Sequence, residues 1–284
     1  MKISHLAFGA SATILALALT GCTGDSASGP AAASADCEPV SEFTTATEGT
    51  IKAAGMNEMP GFLGISDTGP FDGFNATLFE QFAAENCVTV EWTPSTGAGA
   101  TLALQEKKVD IFVGIVVKSD ARGEIFNQPP SELFFEAAGI LSEEGWNSVG
   151  DLQGKSVGAV TGSTYTAPLI EAIGEENLTQ YQSSDAAYND LKAGRIDAVV
   201  TPSVPQGWYV HENPDLGVTS EIIEADEAFP LLTKQYEVNW PVVKGNDGLS
   251  DAISDFYDRI HEDGSLEKIL GEYDITDAFY FSGR

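Results

Sequence analysis

The sequence predicts an α/β protein of two doubly wound lobes, and three observations predict it. Strand-like and helix-like segments alternate from residue 50 onward, the pattern of helices laid over α/β sheets. The alternation runs as two series, and the stretch "LFFEAAGILSEEG", 133–145, carries the chain from one to the other. Each series contains the same corner, a helix end and a basic residue feeding a strand through Asp. Leu104, Lys108, Val109 and Asp110 of "LQEKKVDIFVG" align with Leu191, Arg195, Ile196 and Asp197 of "LKAGRIDAVV". One such corner is common; two inside matched series point to two lobes.

In the first series "TIKAAGM", 50–56, reads as a strand and "FNATLFEQFAAEN", 74–86, as a helix with Asn75 near its start. "CVTVEWTP", 87–94, is a strand, "GATLALQEKK", 99–108, a helix, and "VDIFVGIVV", 109–117, one buried strand. The second series begins with "SVGDLQGKSVGAV", 148–160. Helix "TAPLIEAIG", 166–174, helix "SDAAYNDLKAGR", 184–195, and strand "IDAVVT", 196–201, follow it. After "EADEAFPLLTKQYEV", 224–238, the chain ends in two helical segments, "GLSDAISDFYDRIHEDG" and "SLEKILGEY".

The chain has 284 residues, enough for one large domain or two ordinary ones, with 43% hydrophobic residues. Fourteen Lys plus Arg against 43 Asp plus Glu give a formal net charge of -29. Nucleic acid and anionic lipid both demand cationic surface, so neither is an expected partner. Acid spread over the surface serves solubility. Lys2 precedes the apolar run "LAFGASATILALAL", too short to span a bilayer comfortably, which ends in "LTGC", Leu19 to Cys22. An apolar residue, two small residues and Cys after such a run resemble a bacterial lipoprotein lipobox. The resemblance implies a signal peptide over 1–21, cleaved before Cys22, and lipidation of the Cys22 sulfur. The small polar segment "TGDSASGPAAASAD" cannot bury a core, so 22–42 is expected to be a flexible tether. Cys37 and Cys87 remain, and an even pair outside the cytoplasm suggests a disulfide pinning the chain start to the first helix. No CxxC occurs, and His5, His211 and His261 are scattered, so neither redox chemistry nor a metal or other cofactor is expected.

Six segments in order, "GTIKAAGMNEMPGF", "FDGFNATLFEQFA", "LALQEKKVDIFVG", "VGDLQGKSVGAVTGST", "LKAGRIDAVV" and "VVKGNDGLSDAISDFYDRIHEDGSLEKIL", carry a family resemblance over roughly residues 48–275. The chain resembles the amino-acid-type solute-binding proteins of ABC importers, the bacterial extracellular family 3. The resemblance implies a periplasmic-binding-protein-like fold, type II, with two lobes joined by two crossing strands near 135–141 and 229–237. Lobe one would comprise 43–138 and 234–284, and lobe two 139–233. Ligand would sit in the cleft beyond the carboxyl ends of the strands while the lobes close by hinge motion. The implied partners are a small solute, an ABC permease with its ATPase, and a membrane reached through a lipid anchor alone. A monomer is expected.

The resemblance also places the ligand site. In "VTGSTY", 160–165, Gly162 permits a tight turn, and Ser163 or Thr164 is expected to cap the next helix and offer N–H groups to a ligand carboxylate. Arg122 matches the family arginine that forks onto that carboxylate. Met59, Pro60 and Phe62 fall in the segment that stacks on the ligand side chain, Met59 where Tyr is common. Three departures stand out. Pro202 occupies the position of the family Asp that takes the ligand ammonium, and it brings neither carboxylate nor N–H. A buried ammonium without a counter-charge is expensive, so either another acid such as Glu58 substitutes or the ligand lacks a free α-amino group. In "STGAGAT", 95–101, the small residues around Gly97 leave room where a bulky aromatic is common, and Val117 replaces a usual Ser or Thr but keeps its backbone N–H. Trp208 and Trp240 either refill the space or pack. Together these departures point to a ligand bulkier than, or chemically different from, a simple α-amino acid. Two alternatives share the scaffold: a prephenate-type (cyclohexadienyl) dehydratase and a sensor that feeds no importer. No GxSxG, HExxH or P-loop segment marks a catalytic group, so a binding protein rather than an enzyme is expected.

Overall fold

The computed structural model describes residues 37–56, 64–65 and 71–283. Residues 1–21, where the sequence suggests a signal peptide, and Cys22, Glu58, Met59 and Phe62 lie outside the described residues.

The first half builds β1 (Thr50–Met56), β2 (Gly64–Ile65), β3 (Phe71–Asp72), α1 (Phe74–Glu85), β4 (Thr89–Ser95), α2 (Gly97–Gln105), β5 (Ile111–Val113), β6 (Val116–Val117), α3 (Asp120–Ile125) and β7 (Phe134–Glu136). β1 is the middle strand of a parallel sheet ordered β4-β1-β5. Ile51, Ala53 and Ala54 are all buried on it, because helices cover both faces of a parallel sheet. The run 109–117, read as one strand, is two. β5 pairs with β1, whereas β6 pairs with a strand from the other end of the chain. Gly114 makes the break: a Cβ there would lie 2.7 Å from Met56 Sδ, so the chain turns at a residue with no side chain.

The chain then leaves this sheet. β8 (Ala138–Ser142), β9 (Val157–Val160), α4 (Thr166–Ile173), β10 (Leu178–Tyr181), α5 (Ser184–Lys192), β11 (Ala198–Pro202), α6 (Ser203–Glu212), β12 (Thr219–Ile222) and α7 (Pro230–Thr233) form the second α/β series. Its sheet is ordered β10-β9-β11-β8-β12, with β8 antiparallel to both neighbours and the others parallel. β13 (Tyr236–Asn239) returns between β6 and β7 in a three-stranded antiparallel sheet, so β7 and β13 are the two connecting strands. α8 (Asp247–Glu262), α9 (Ser265–Gly271) and α10 (Phe279–Ser282) complete the chain.

α8 shows why the C-terminal helices belong to the first core. Leu249, Ala252, Ile253, Phe256, Tyr257 and Ile260 recur at helical spacing and are all buried, packed with Phe74, Phe79, Phe82 and Trp240. Trp240 is wholly buried, so it packs rather than lining a cleft. Its Nε1–H donates to Asn75 Oδ1 at 2.8 Å and its backbone N–H to the Tyr257 hydroxyl at 2.9 Å. Asn75 therefore serves the core and does not cap α1, whose N-cap is Gly73. A second core gathers Ile140, Val157, Tyr165, Leu169, Val200 and Leu232 within lobe two. A disulfide joins Cys37 to Cys87 with Cα atoms 5.8 Å apart, fastening the segment at Cys37 beside the end of α1. No helix among the described residues is long and apolar enough to cross a membrane.

Candidate functional site

The residues singled out by the sequence fall at strand ends and helix starts. In lobe one, Gly97 is the first residue of α2, behind the N-cap Thr96, whose hydroxyl accepts from Gly99 N–H at 3.1 Å. A Cβ added to Gly97 meets nothing within 4 Å among the described residues, so they leave open space at this position; Gly99 is different, since its Cβ would lie 2.5 Å from Ser95 Oγ. Val117 ends β6, and two residues later Ser119 caps α3, its hydroxyl accepting from Arg122 N–H at 3.3 Å. The Arg122 guanidinium folds back and donates to the Val117 carbonyl, so the structure brings these two residues together. Arg122 is half-buried, and burial pushes its pKa below the ordinary arginine value. Among the described residues no carboxylate forms an ion pair with it; the six recorded pairs involve other cations.

At the carboxyl ends of β1 and β5 a cavity of about 10 Å³ is lined by Gly55, Met56, Asp72, Asn75, Trp92 and Val113, among others. That is room for about one water molecule. Asn75 Nδ2 lacks a partner among the described residues, so this edge of the lobe-one sheet holds a buried, unused donor.

In lobe two, Gly162 takes φ 75, the left-handed turn that glycine permits, and the chain folds so that Ser163 N–H donates to Val160 O at 3.1 Å. The helix starts later than the sequence suggests. The N-cap of α4 is Tyr165, with no side-chain cap bond, and neither Ser163 nor Thr164 holds that position. Ser163 Oγ accepts instead from Tyr165 N–H at 3.4 Å, because the tight turn uses two further residues before the helix can begin. Among the described residues no hydrogen bond or ion pair joins Arg122 to the 162–164 turn. Pro202 ends β11 and is the N-cap of α6, with no side-chain cap bond of its own. Trp208 on α6 stacks on His211 and lies 5.3 Å from the Tyr273 ring, so it packs against the lobe-one end of the chain.

Sequence reasoning missed Glu136. It is the last residue of β7, wholly surrounded by protein, and its carboxylate occupies the start of α6. Oε1 accepts from Ser203 N–H at 2.8 Å, from Ser203 Oγ at 2.5 Å and from Ala137 N–H at 2.9 Å; Oε2 accepts from Val204 N–H at 3.3 Å. Desolvation dominates, and despite these bonds its pKa is raised to about 7. Tyr165 lies alongside, its phenol raised by burial and by Glu136, its hydroxyl without a partner among the described residues. The signal that could have found Glu136 was a lone acid inside the apolar run "LFFEAAGIL".

Two α/β lobes on two connecting strands are the architecture of the type II solute-binding proteins. The model of the bacterial extracellular solute-binding proteins, family 3, matches residues 51–275, and the chain belongs to that family. It is 26% identical over 235 residues to the L-cystine-binding protein TcyJ of Escherichia coli (strain K12), covering 80% of this chain and 85% of TcyJ. It is 28% identical over 227 residues to the L-arginine-binding protein of Pseudomonas aeruginosa, covering 74% of this chain and 82% of that protein. Among solved structures, an ancestral arginine-binding protein bound to glutamine is 26% identical, with a TM-score of 0.63, covering 81% of this chain and 100% of that one. Members of this family act outside the cytoplasm, bind small solutes and work with an ABC permease and its ATPase.

Proposed function

We propose that this chain captures an amino-acid-like solute bearing a carboxylate between its lobes, with Arg122 as the anchor for that carboxylate. One observation carries the reading: Arg122 is a desolvated guanidinium whose hydrogen-bond partner is a backbone carbonyl, with no acid paired to it among the described residues. A desolvated cation of fixed fork geometry is poised for an incoming carboxylate. Gly97, Val117, the turn Gly162, Ser163 and Thr164, and Pro202 are the remaining ligand-contact positions of this reading, joined by Met59 and Phe62. The relatives' names point to cystine and arginine, both larger than the simplest amino acids, and the space beside Gly97 suits such bulk. Pro202 supplies no counter-charge for an ammonium, so the ligand either keeps that group in solvent or lacks it free.

In this reading lobe one is 43–138 with 234–284 and lobe two is 139–233. The mature chain is a monomer held at the outer face of the cell membrane through a lipid on Cys22, with 22–42 as the tether. A thermal-shift screen over amino acids, their N-blocked derivatives, opines and amino-acid dimers tests the ligand class. At least one carboxylate raises Tm by several degrees, since ligand bound to the native state alone stabilises it. Stabilisation by polyamines or sugars, with none by any carboxylate, would reject the reading.

A further inference from the structure

We propose that Glu136 is a positioning residue whose carboxyl group ties the start of α6 to the connecting strand β7, so that opening of the lobes is linked to its proton. The proposal rests on the solute-binding reading and adds to it what controls the hinge. β7 ends at Glu136 and β8, in the other sheet, begins at Ala138, so the side chain stands where the chain crosses between lobes. From there it reaches across to the first two residues of α6, a lobe-two helix. Pro202 explains why this reach is needed. As N-cap of α6 it has no side-chain acceptor for the helix's unpaired N–H groups, and Glu136 supplies one from another strand. Ser203 N–H also donates to Ala137 O at 3.0 Å, so one amide holds both the residue before the crossing and the crossing itself.

Among the described residues no cation compensates the carboxyl group. The groups facing it are the Ser203 hydroxyl from α6, Tyr165 at the start of α4, Tyr236 from β13, which is its register partner, and Tyr280 from α10, with Asp277 next to Tyr280. Tyr236 packs on Tyr165 with ring centroids 5.7 Å apart, closing the group off from solvent. Hydrogen bonds favour the carboxylate and burial favours the acid; burial wins, and the pKa stands near 7. A rotation that moves α6 away from β7 exposes the carboxyl group to water, where its pKa falls towards the ordinary value. By linkage, the enclosed carboxyl holds a proton that the opened one has lost between its ordinary value of 4.5 and about 7, so raising pH across that window favours the opened arrangement, the change is complete above about 7, and mild acid favours the arrangement described here.

The test needs no ligand, so it stands whether or not the ligand class above is right. Spin labels on Leu102→Cys in α2 and Leu231→Cys in α7, both exposed, report the separation of the lobes by pulsed electron resonance on the whole folded chain. In the protein with native Glu136 the distance distribution shifts to longer separations as pH rises from 4.5 to about 7 and is level above that; in Glu136→Gln it does not move. A distribution independent of pH in the native protein, or an equal shift in Glu136→Gln, overturns the proposal. A second measurement covers a variant that fails to fold: the Ser203 and Val204 amide resonances of the native chain titrate with a midpoint near 7. Amides unmoved between pH 5.5 and 8.5 overturn it equally.

Discussion

In lobe one the chain leaves α2, passes Lys107 at φ 57 and enters β5 through Asp110; in lobe two it leaves α5, passes Gly194 at φ 66 and enters β11 through Asp197. Both turns return an amide to the preceding helix, Lys108 to Ala103 O and Arg195 to Asp190 O, each at 2.9 Å. Both aspartates clamp the neighbouring parallel strand. Asp110 donates its N–H to Lys52 O at 2.8 Å and accepts from Lys52 N–H at 2.9 Å; Asp197 donates to Ser156 O at 2.7 Å and accepts from Ser156 N–H at 2.8 Å. The repeated segment thus encodes a device that fixes the stagger of two parallel strands. The corners differ in burden. Asp110 is buried and also accepts from Ala46 N–H at 3.0 Å, so the first corner holds the N-terminal arm as well; Asp197 is exposed and holds its sheet alone. The same motif is a structural keystone where a further segment is built onto it and a modest cap where none is.

The largest expected effect removes the arm's other fastening. Replacing Cys37 and Cys87 by Ser, a pair 50 residues apart, should lower stability by about 4 kcal/mol on the chain-entropy estimate, read by urea denaturation. The contrast between the corners should come next. Asp110→Ala orphans buried amides and should cost about 2–4 kcal/mol, whereas Asp197→Ala, with water at hand, should cost about 1 kcal/mol or less. Equal losses in chemical denaturation would mean the arm contributes nothing. The smallest effect sharpens the turn itself. Lys107→Gly relieves a left-handed lysine and should gain about 0.5–1 kcal/mol, while Gly194→Ala should lose about 1 kcal/mol. A destabilised Lys107→Gly would show that the lysine side chain matters more than its backbone.

These corners were legible in the sequence because Asp-led strands and helix ends repeat in register. So were α1 and α8, whose apolar spacing leaves one face buried. α6 was not legible. Pro202, Pro205 and Gly207 suppress helix signals, and the helix forms because Glu136, distant in sequence, satisfies its first amides. The break at Gly114 was hidden for a similar reason: an unbroken apolar run says that residues are buried, not that they share a sheet. Arg122 and Gly162 were singled out by position alone, and the partner of the Arg122 guanidinium, a carbonyl five residues back, comes from the local fold. Long-range polar pairing is what a single sequence conceals most, since neither partner carries a periodic signal.

The central claim, that a desolvated arginine receives a solute carboxylate, is tested most directly by isothermal titration of the best-binding carboxylate against the native protein and Arg122→Ala. The account predicts a loss of affinity on the order of 100-fold, the scale of a charge-assisted pair removed from a partly buried site. Affinities within threefold of each other would contradict it.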